Sequence, residues 1–413
     1  MCQYCNNLDY HATPNVPQSF TRRRTLDVLA AGGLATLLGT MPRQARAATT
    51  PDEPVRIGYL PITDATALLV AHAKGFFQDE GLNVEKPVLV RGWAPLVEAF
   101  AAGKFNLVHL LKPVPVWMRY NNHFPVKIVA WAHTNGSAIV VGGDSKIHSF
   151  ADFGGKQIAV PFWYSMHNIV LQLALRQAGI TPVIRPQGAP LAPHECNLQT
   201  LPPPDMPAAL AARKIDGYTV AEPFNAMGEI AIHARILRFT GDMWKNHPCC
   251  VVCMHEADTV QRPEWSQKIL NAIVRAEIYA SQHKVEVATL LSRDGAGYLP
   301  MPAPVVTRAM TLYTQNAEYL SDGAIEHPQW HNGRIDFQPW PYPTATTLIV
   351  EEMKKTLVAG DRTFLDKLDP AFVTKDLVNY DFVRAALKLH PEWKTDPSVN
   401  AADPFARHEV LAL

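Results

Sequence analysis

The sequence predicts an α/β protein with two lobes, each a sheet flanked by helices, and two crossing strands that hinge them. Short apolar runs typical of strands alternate with helical patterns over residues 55–138, and again over residues 154–255. Charged residues make up 18% of the 413 residues and hydrophobic residues 47%, which allows a packed core. Two such blocks place a cleft between them, and ligands favour that position.

The first block opens with a strand, a turn and a helix. The strand ends at Pro61, and Thr63 and Asp64 then precede a helical pattern as capping residues. The free N–H groups at such a helix start favour an anion. The predicted strands of this block are VRIGYL, NVEKPVLV, LVHLL and VKIVAWA, and the predicted helices are TALLVAHAKGFFQDE, APLVEAFAAGK and VPVWMRYNN.

The second block repeats this alternation, and mostly helical sequence follows it. Its elements are the strand GGKQIAVPF, the helix SMHNIVLQLALRQAGI, a proline-rich loop, a helix and strand within PPPDMPAALAARKIDGYTVAEPFNA, and the strand PCCVVCMHE. The strands from Ala138 and from Cys249 are the natural crossing pair. We therefore predict one lobe from residues 54–138 and 250–413, and the other from residues 139–249.

The first 47 residues differ from the rest and predict a twin-arginine export signal. Arg22, Arg23 and Arg24 precede an apolar run, and Ala45–Ala47 has the small-x-small pattern of a cleavage site. The alternative is a chance basic cluster before a short buried helix. The run is too short and glycine-rich for a membrane span, and no later run is long enough. We expect a periplasmic protein without a direct membrane span.

Charge and motifs narrow the function classes. The chain has 38 basic and 38 acidic residues, and this balance argues against nucleic acid, which favours a basic face. There is no glycine-rich phosphate loop and no convincing arrangement of a nucleophile and a base. The composition and motifs therefore give no sign of a nucleic-acid-binding face or of a catalytic arrangement.

Several stretches carry a resemblance to a known family. The more specific are DGYTVAEPFNA and RIDFQPWPYPT, and IGYLPITDATALLVAHAKGFF adds a weaker match. The mature chain resembles the periplasmic solute-binding proteins of ABC transporters, in the nitrate, bicarbonate, sulfonate and taurine group, and is most similar to the nitrate/bicarbonate branch. The resemblance implies the type II two-lobed fold, capture of a small anion without a cofactor, and delivery to a membrane permease with its ATPase.

The resemblance also implies ligand-binding residues. Trp93 is similar to a tryptophan that packs over the anion, Ser137 to a side-chain donor in the loop before a crossing strand, and His167 to a histidine at a helix start that contacts the ligand. A core tryptophan, a turn serine and a capping histidine are the plainer alternatives. Further candidates are Thr63, Asp64, Ser165 and Glu222, the last within the Glu-Pro-Phe motif.

One departure from the family concerns positive charge. A family strand usually carries a lysine where this chain has Cys250, and a neutral thiol cannot do the same electrostatic work. Our hypothesis is that Lys112 supplies the charge instead. A solvated loop lysine is the alternative.

The run HPCCVVCMH suggests a metal site at first sight. Strand alternation sends Cys249, Cys253 and His255 to one face and Cys250 to the other, and ligands along one extended strand lie too far apart for one ion. Sequence reasoning therefore assigns no metal ligand and interprets these cysteines as small buried hydrophobes. Together with Cys196 they allow one disulfide, but not between the neighbours Cys249 and Cys250.

An alternative function comes from the same fold. An iron-dependent pyrimidine synthase of thiamine biosynthesis also has a clustered-cysteine strand, and a precursor-binding protein would use aromatic residues such as 162–164. The export signal counts against the enzyme, because that chemistry belongs in the cytoplasm.

Overall fold

The computed structural model describes residues 53–393 and 403–413, which belong to one compact unit. The predicted export signal (residues 1–47), whose sequence includes Cys2 and Cys5, lies outside the described residues. Within the described ranges, no helix has the length and apolarity to cross a membrane.

The described strands and helices follow the predicted alternation along the chain. The strands are β1 (Ile57–Tyr59), β2 (Val88–Leu89), β3 (Leu107–Leu111), β4 (Val126–Trp131), β5 (Thr134–Asn135), β6 (Ser137–Val141), β7 (Lys156–Val160), β8 (Thr181–Val183), β9 (Glu195–Thr200), β10 (Gly217–Ala221), β11 (Arg235–Phe239), β12 (Cys250–His255) and β13 (Ile335–Asp336). The α-helices are α1 (Thr66–Ala73), α2 (Phe76–Asp79), α3 (Trp93–Ala101), α4 (Pro113–Tyr120), α5 (Met166–Gln177), α6 (Met206–Ala211), α7 (Phe224–Ile232), α8 (Glu256–Gln261), α9 (Pro263–Gln282), α10 (Lys284–Leu291), α11 (Ala303–Thr311), α12 (Ala317–Ser321), α13 (Pro343–Met353), α14 (Pro370–Leu377) and α15 (Asp381–Leu387).

The first sheet brings several chain segments to one edge. Its order is β2-β1-β3-β12-β4, with β1 parallel to β2 and β3, and β12 antiparallel to β3 and β4. Cys250 lies opposite Leu111, and Val251 lies opposite Trp131. The carboxyl ends of β1, β3 and β4 therefore meet the start of β12 at the same edge, where ligands of α/β sheets bind.

The second sheet has the order β11-β6-β10-β7-β9-β8. Strand β6 is antiparallel to β10 and β11, whereas β7, β8, β9 and β10 run parallel. Strands β8 and β9 lie in the stretch that was predicted to be a proline-rich loop, so that prediction is wrong. Pro182 fits because β8 is an edge strand, where the missing N–H breaks no central ladder.

The chain passes between the two sheets through residues 132–136 and 240–249. These crossing segments are joined, because the N–H of Asn135 donates to the carbonyl of His247 at 3.0 Å and Thr134 bridges to Pro248. The loop after β1 also reaches the second sheet: the N–H and the hydroxyl of Thr63 both donate to the carbonyl of Glu222, at 2.9 and 3.1 Å. The cleft edges of the two sheets therefore face one another.

Candidate functional site

A compact group of polar side chains lies at the carboxyl edge of the first sheet. Asp64 follows β1, His133 follows β4, and Cys249 and Cys250 stand at the start of β12. One donor atom from each of these four residues lies within 4.8 Å of each of the others, and all four residues are fully buried. We call these four residues the cysteine cluster.

Asp64 and His133 form the charged half of the cysteine cluster. His133 Nε2 lies 3.0 Å from Asp64 Oδ2, yet the contact lacks hydrogen-bond geometry, so it is a close charge contact. Burial lowers the pKa of His133, but Asp64 and Cys249 together outweigh burial and raise this pKa to about 10. Burial likewise raises the pKa of Asp64, and His133 opposes that shift. A charged imidazole therefore lies against this carboxyl group.

The two thiols are distinguished by their neighbours. Cys250 Sγ donates to Asp64 Oδ2 at 3.1 Å. Burial raises the pKa of Cys250 well above its usual value, and the neighbouring Cys249 sulfur adds to that shift. Burial also disfavours ionisation of Cys249, but contacts with Cys250, His133 and His167 outweigh it and hold the pKa of Cys249 well below its usual value. Of these two neighbouring thiols, Cys249 is therefore the more easily ionised.

Both cysteine side chains reach the same cluster, so the prediction that alternation separates them is wrong. Alternation holds only within a strand, and Cys249 precedes the first residue of β12. The four described cysteines (Cys196, Cys249, Cys250 and Cys253) are free, without a disulfide among them.

His167 and Ser137 bring the second sheet to this group. Ser137 begins β6, and His167 lies in the first turn of α5. Ser137 Oγ is 2.9 Å from His167 Nε2 and 3.6 Å from Cys249 Sγ, and His167 Nε2 is 3.9 Å from the same sulfur. Two side chains predicted to bind the ligand therefore meet between the two sheets, next to the cysteine cluster.

Trp93 and His109 form a second polar pair on the side of the first sheet. Their rings meet edge to face with centroids 5.5 Å apart, and Trp93 is only 2% exposed. His109 Nε2 accepts the N–H of Leu60 at 3.0 Å, and burial lowers the pKa of His109 to about 3. A neutral ring whose Nε2 accepts carries its proton on Nδ1. We call Trp93 and His109 the donor pair.

The donor pair has two N–H groups that find no acceptor in the part of the chain the structure describes. These groups are Trp93 Nε1 and His109 Nδ1, and both atoms are buried. His167 Nδ1 is likewise buried and unpartnered among the described residues. Buried donors normally find a partner, because an unmade hydrogen bond costs about 1–3 kcal/mol.

The remaining predicted residues have partners within the fold. Ser165 caps α5, since its Oγ accepts the N–H of Asn168 at 3.0 Å. Thr63 donates to the carbonyl of Glu222 at 3.1 Å. Glu222 itself pairs with Arg334, whose Nε lies 2.6 Å from Oε1, and both side chains are fully buried. Their part in ligand binding stays a prediction.

Lys112 is fully buried, not solvated, at the start of α4. Its Nζ donates to Thr346 Oγ1 on α13 at 2.8 Å, and no contact among the described residues joins it to Trp93 or His167. Burial lowers the pKa of Lys112 to about 7. The hypothesis that Lys112 supplies charge to an anion thus finds no support in its described contacts.

We expect Lys112→Met to leave anion affinity unchanged and to stabilise the protein. Folding lowers the pKa of Lys112 from its ordinary 10.5 to about 7, so the unfolded chain holds the proton more tightly. Burial of the protonated amine therefore lowers the free energy of unfolding most below pH 7, and this loss disappears as the pH rises to 10.5. The gain in free energy of unfolding should be about 1–4 kcal/mol near pH 7 and smaller at pH 10, measured by urea denaturation. A tenfold loss of affinity would restore the charge hypothesis.

Sequence reasoning assigned no site role to three buried histidines of this region, the last of which lies in the HPCCVVCMH run. They are His109 within β3, His133 directly after β4, and His247, whose Nε2 lies 2.7 Å from Thr240 Oγ1. A polar residue within or just after an apolar strand was the available signal.

The structure also has two cavities of about 520 and 300 Å³. Neither the cysteine cluster nor the donor pair lines them.

Comparison with known proteins supports the fold described above. A family model described as the NMT1-like family matches residues 48–292, more than half of the chain. The chain belongs to the NMT1-like family. This NMT1-like chain is 28% identical over 313 residues to the nitrate/nitrite binding protein NrtA of Nostoc sp. PCC 7120, covering 70% of this chain and 67% of that protein.

Two further likenesses extend this finding. The bicarbonate transport ATP-binding protein CmpC of Synechocystis sp. is 27% identical over 256 residues, which are 58% of this chain but only 37% of that protein. The crystal structure of the periplasmic nitrate-binding protein NrtA from Synechocystis PCC 6803 superposes with a TM-score of 0.66 at 18% identity, covering 82% of this chain and 89% of that one. This likeness confirms the predicted fold class for the NMT1-like chain, which has the periplasmic-binding-protein fold.

Proposed function

We propose that this protein is the extracytoplasmic substrate-binding component of an ABC importer and captures a small anion in the cleft between its sheets. The anion belongs to the nitrate, bicarbonate, sulfonate or taurine type, with the nitrate/bicarbonate class favoured by the NrtA and CmpC relatives. The predicted lobes, residues 54–138 with 250–413 and residues 139–249, are the two halves that enclose it.

The donor pair carries this proposal. Trp93 Nε1 and His109 Nδ1 are buried N–H groups on two rings in edge-to-face contact, with no acceptor within the described ranges. An oxyanion bound next to them supplies the missing acceptors. His167 and Ser137 add hydrogen-bonding groups from the second sheet, so the solute is held from both sides.

Ligand size explains why two lobes are needed. A four-atom anion gains at most about 1.5 kcal/mol per atom, roughly 6 kcal/mol in total, which corresponds to a dissociation constant of tens of micromolar. Reaching that limit requires several strong hydrogen bonds and nearly full enclosure. A cleft whose lining residues are buried meets this requirement, whereas one flat surface does not.

The proposal extends to partners and location. The protein binds its solute without a cofactor and releases it unchanged to a membrane permease with an ATPase. It works in the periplasm after twin-arginine export. The relatives named above, a nitrate-binding protein and an ATP-binding transport protein, support transport. They also favour anion capture over the thiamine-pyrimidine alternative.

Calorimetric titration with nitrate, nitrite, bicarbonate, an aliphatic sulfonate, taurine and a pyrimidine tests the proposal. We expect one of the anions to bind with one site per chain, and the solute recovered after denaturing the complex to be chemically unchanged. Trp93→Phe, which keeps the ring and removes the N–H, should weaken that anion about 10-fold. Binding of the pyrimidine alone, or turnover of any solute, would overturn the proposal.

A further inference from the structure

We propose that the cysteine cluster, Asp64, His133, Cys249 and Cys250, binds one thiophilic divalent metal ion of the zinc class. The site is distinct from the donor pair, and its occupation can be measured without any anion. The argument rests on the positions of the donor atoms, on their missing partners and on the chain segments that hold them.

The donor atoms are spaced for a single ion. Tetrahedral zinc with bonds of 2.0–2.3 Å places its ligand atoms about 3.3–3.8 Å apart. The four donors here all lie within 4.8 Å of one another, with Asp64 at 3.0 Å from His133 and 3.1 Å from Cys250. Only small side-chain adjustments are needed to close them on one ion.

The donor types select the metal. Two sulfurs, one imidazole nitrogen and one carboxylate oxygen suit zinc and its neighbours among the transition metals. Calcium and magnesium require oxygen ligands throughout, so this set does not suit them. All four positions of a tetrahedron come from the protein, and all four residues are fully buried, which is the closed arrangement of a structural site.

Missing hydrogen-bond partners point independently to a bound ion. Asp64 Oδ1 and His133 Nδ1 are buried without a hydrogen bond to any described residue, and His133 Nε2 has only its charge contact with Asp64 Oδ2. Buried polar atoms without a hydrogen bond are rare in folded proteins, because the loss of water is not fully offset. A metal ion supplies the partner that a carboxylate and an imidazole lack here.

The backbone holds the ligands in place before any ion arrives. The N–H of Lys112 donates to the carbonyl of Cys249 at 2.9 Å, and the N–H of Ala132 donates to the carbonyl of Cys250 at 3.0 Å. His133 lies in the first crossing segment and Cys249 in the second. A bound ion would therefore tie both crossing segments to the loop after β1 and stabilise the hinge.

Charge is consistent with a divalent ion. With both cysteines bound as thiolates, the two sulfurs and the carboxylate carry three negative charges in one buried volume. A divalent cation reduces the excess to one negative charge while His133 binds as a neutral ligand. The anion therefore is not expected to be a metal ligand and binds on the donor pair instead.

Metal titration of the purified full chain tests this proposal. The background is Cys2→Ser/Cys5→Ser, so that the amino-terminal pair cannot supply thiolates. After removal of metal with a chelator, we expect about one Zn²⁺ per chain, and we expect Co²⁺ to give a sulfur-to-metal charge-transfer band. The decrease of this band as Zn²⁺ displaces Co²⁺ reports the affinity of the site for Zn²⁺.

Variants assign the site, with a matched control. Cys249→Ser and Cys250→Ser should each lower Zn²⁺ affinity at least about 100-fold and weaken the Co²⁺ band. Cys253→Ser is the control, because Cys253 is equally buried on the same strand and lies outside the cluster. Absence of a Co²⁺–thiolate band in the Cys2→Ser/Cys5→Ser background protein would overturn the proposal even if the further variants fail to fold. Equal loss in Cys253→Ser would overturn it as well.

Discussion

Arg334→Met is expected to lower the free energy of unfolding by about 3–5 kcal/mol, measured by urea denaturation. Arg334 is fully buried, and its guanidinium lies 2.6 Å from Glu222 and 2.8 Å from Glu229. Burial raises the pKa of Glu222, and Arg334 opposes that shift. Removing the cation therefore leaves a buried carboxylate without its charge partner, which costs more than the pair contributes when intact.

Two further variants separate this explanation from simple loss of packing. Adding Glu222→Gln to Arg334→Met should recover part of the lost stability, because the orphaned charge disappears. Arg308→Met removes another cation that pairs with Glu229. The Arg308 side chain is 29% exposed, so the free energy of unfolding should fall by about 1 kcal/mol or less. If Arg334→Met lowers the free energy of unfolding by less than 1 kcal/mol, the explanation by an orphaned buried carboxylate is contradicted.

His167→Ala is expected to weaken binding of the anion about 10- to 100-fold at constant pH, measured by calorimetry. The ring lies in the cleft with Nε2 at 2.9 Å from Ser137 and a buried Nδ1 that has no partner in the described part of the chain. Loss of one strong hydrogen bond to a charged solute corresponds to about 1.5–3 kcal/mol. The effect should be on affinity, with the fold preserved because α5 keeps its Ser165 cap.

A histidine outside the cleft provides the control for that experiment. His72 lies on α1, and its Nδ1 contacts the hydroxyl of Tyr298 at 2.6 Å. His72→Ala removes a ring of the same size without touching the cleft, so anion affinity should not change. Unchanged affinity in His167→Ala would remove the second sheet from the binding account.

Much of the fold follows from local pattern. The apolar runs that become β1, β3, β4, β7 and β12 are short and bounded by turn residues, so their periodicity identifies them. Strand β9, Glu195–Thr200, lacks such a run because it has polar residues at most positions. It is a strand because β7 and β8 pair with it on either side, and that pairing is tertiary information.

The site was only partly predictable, for a related reason. Trp93, Ser137 and His167 could be placed by resemblance, and the structure puts Ser137 and His167 together. The cysteine cluster was missed because sequence reasoning compared ligands along one strand. Its members come from three segments separated by dozens of residues, and the pairing of β1 with β3 and of β12 with β3 and β4 brings them together.

The roles of Glu222 and Lys112 illustrate the same limit. Glu222 was chosen because it lies in the Glu-Pro-Phe motif, and Lys112 because it could replace a family lysine. Each contacts a residue more than 100 positions away, Arg334 and Thr346 respectively. Such pairs follow from how the carboxy-terminal part of the chain packs on the earlier elements, and no local pattern encodes them.

A crystal structure of the protein grown with the anion that binds most tightly tests the central claim most directly. We expect electron density for one intact solute between the two sheets, with its acceptor atoms within hydrogen-bond distance of Trp93 Nε1 and His167. Density for that solute elsewhere on the protein, with the cleft between the sheets unoccupied, would contradict the account.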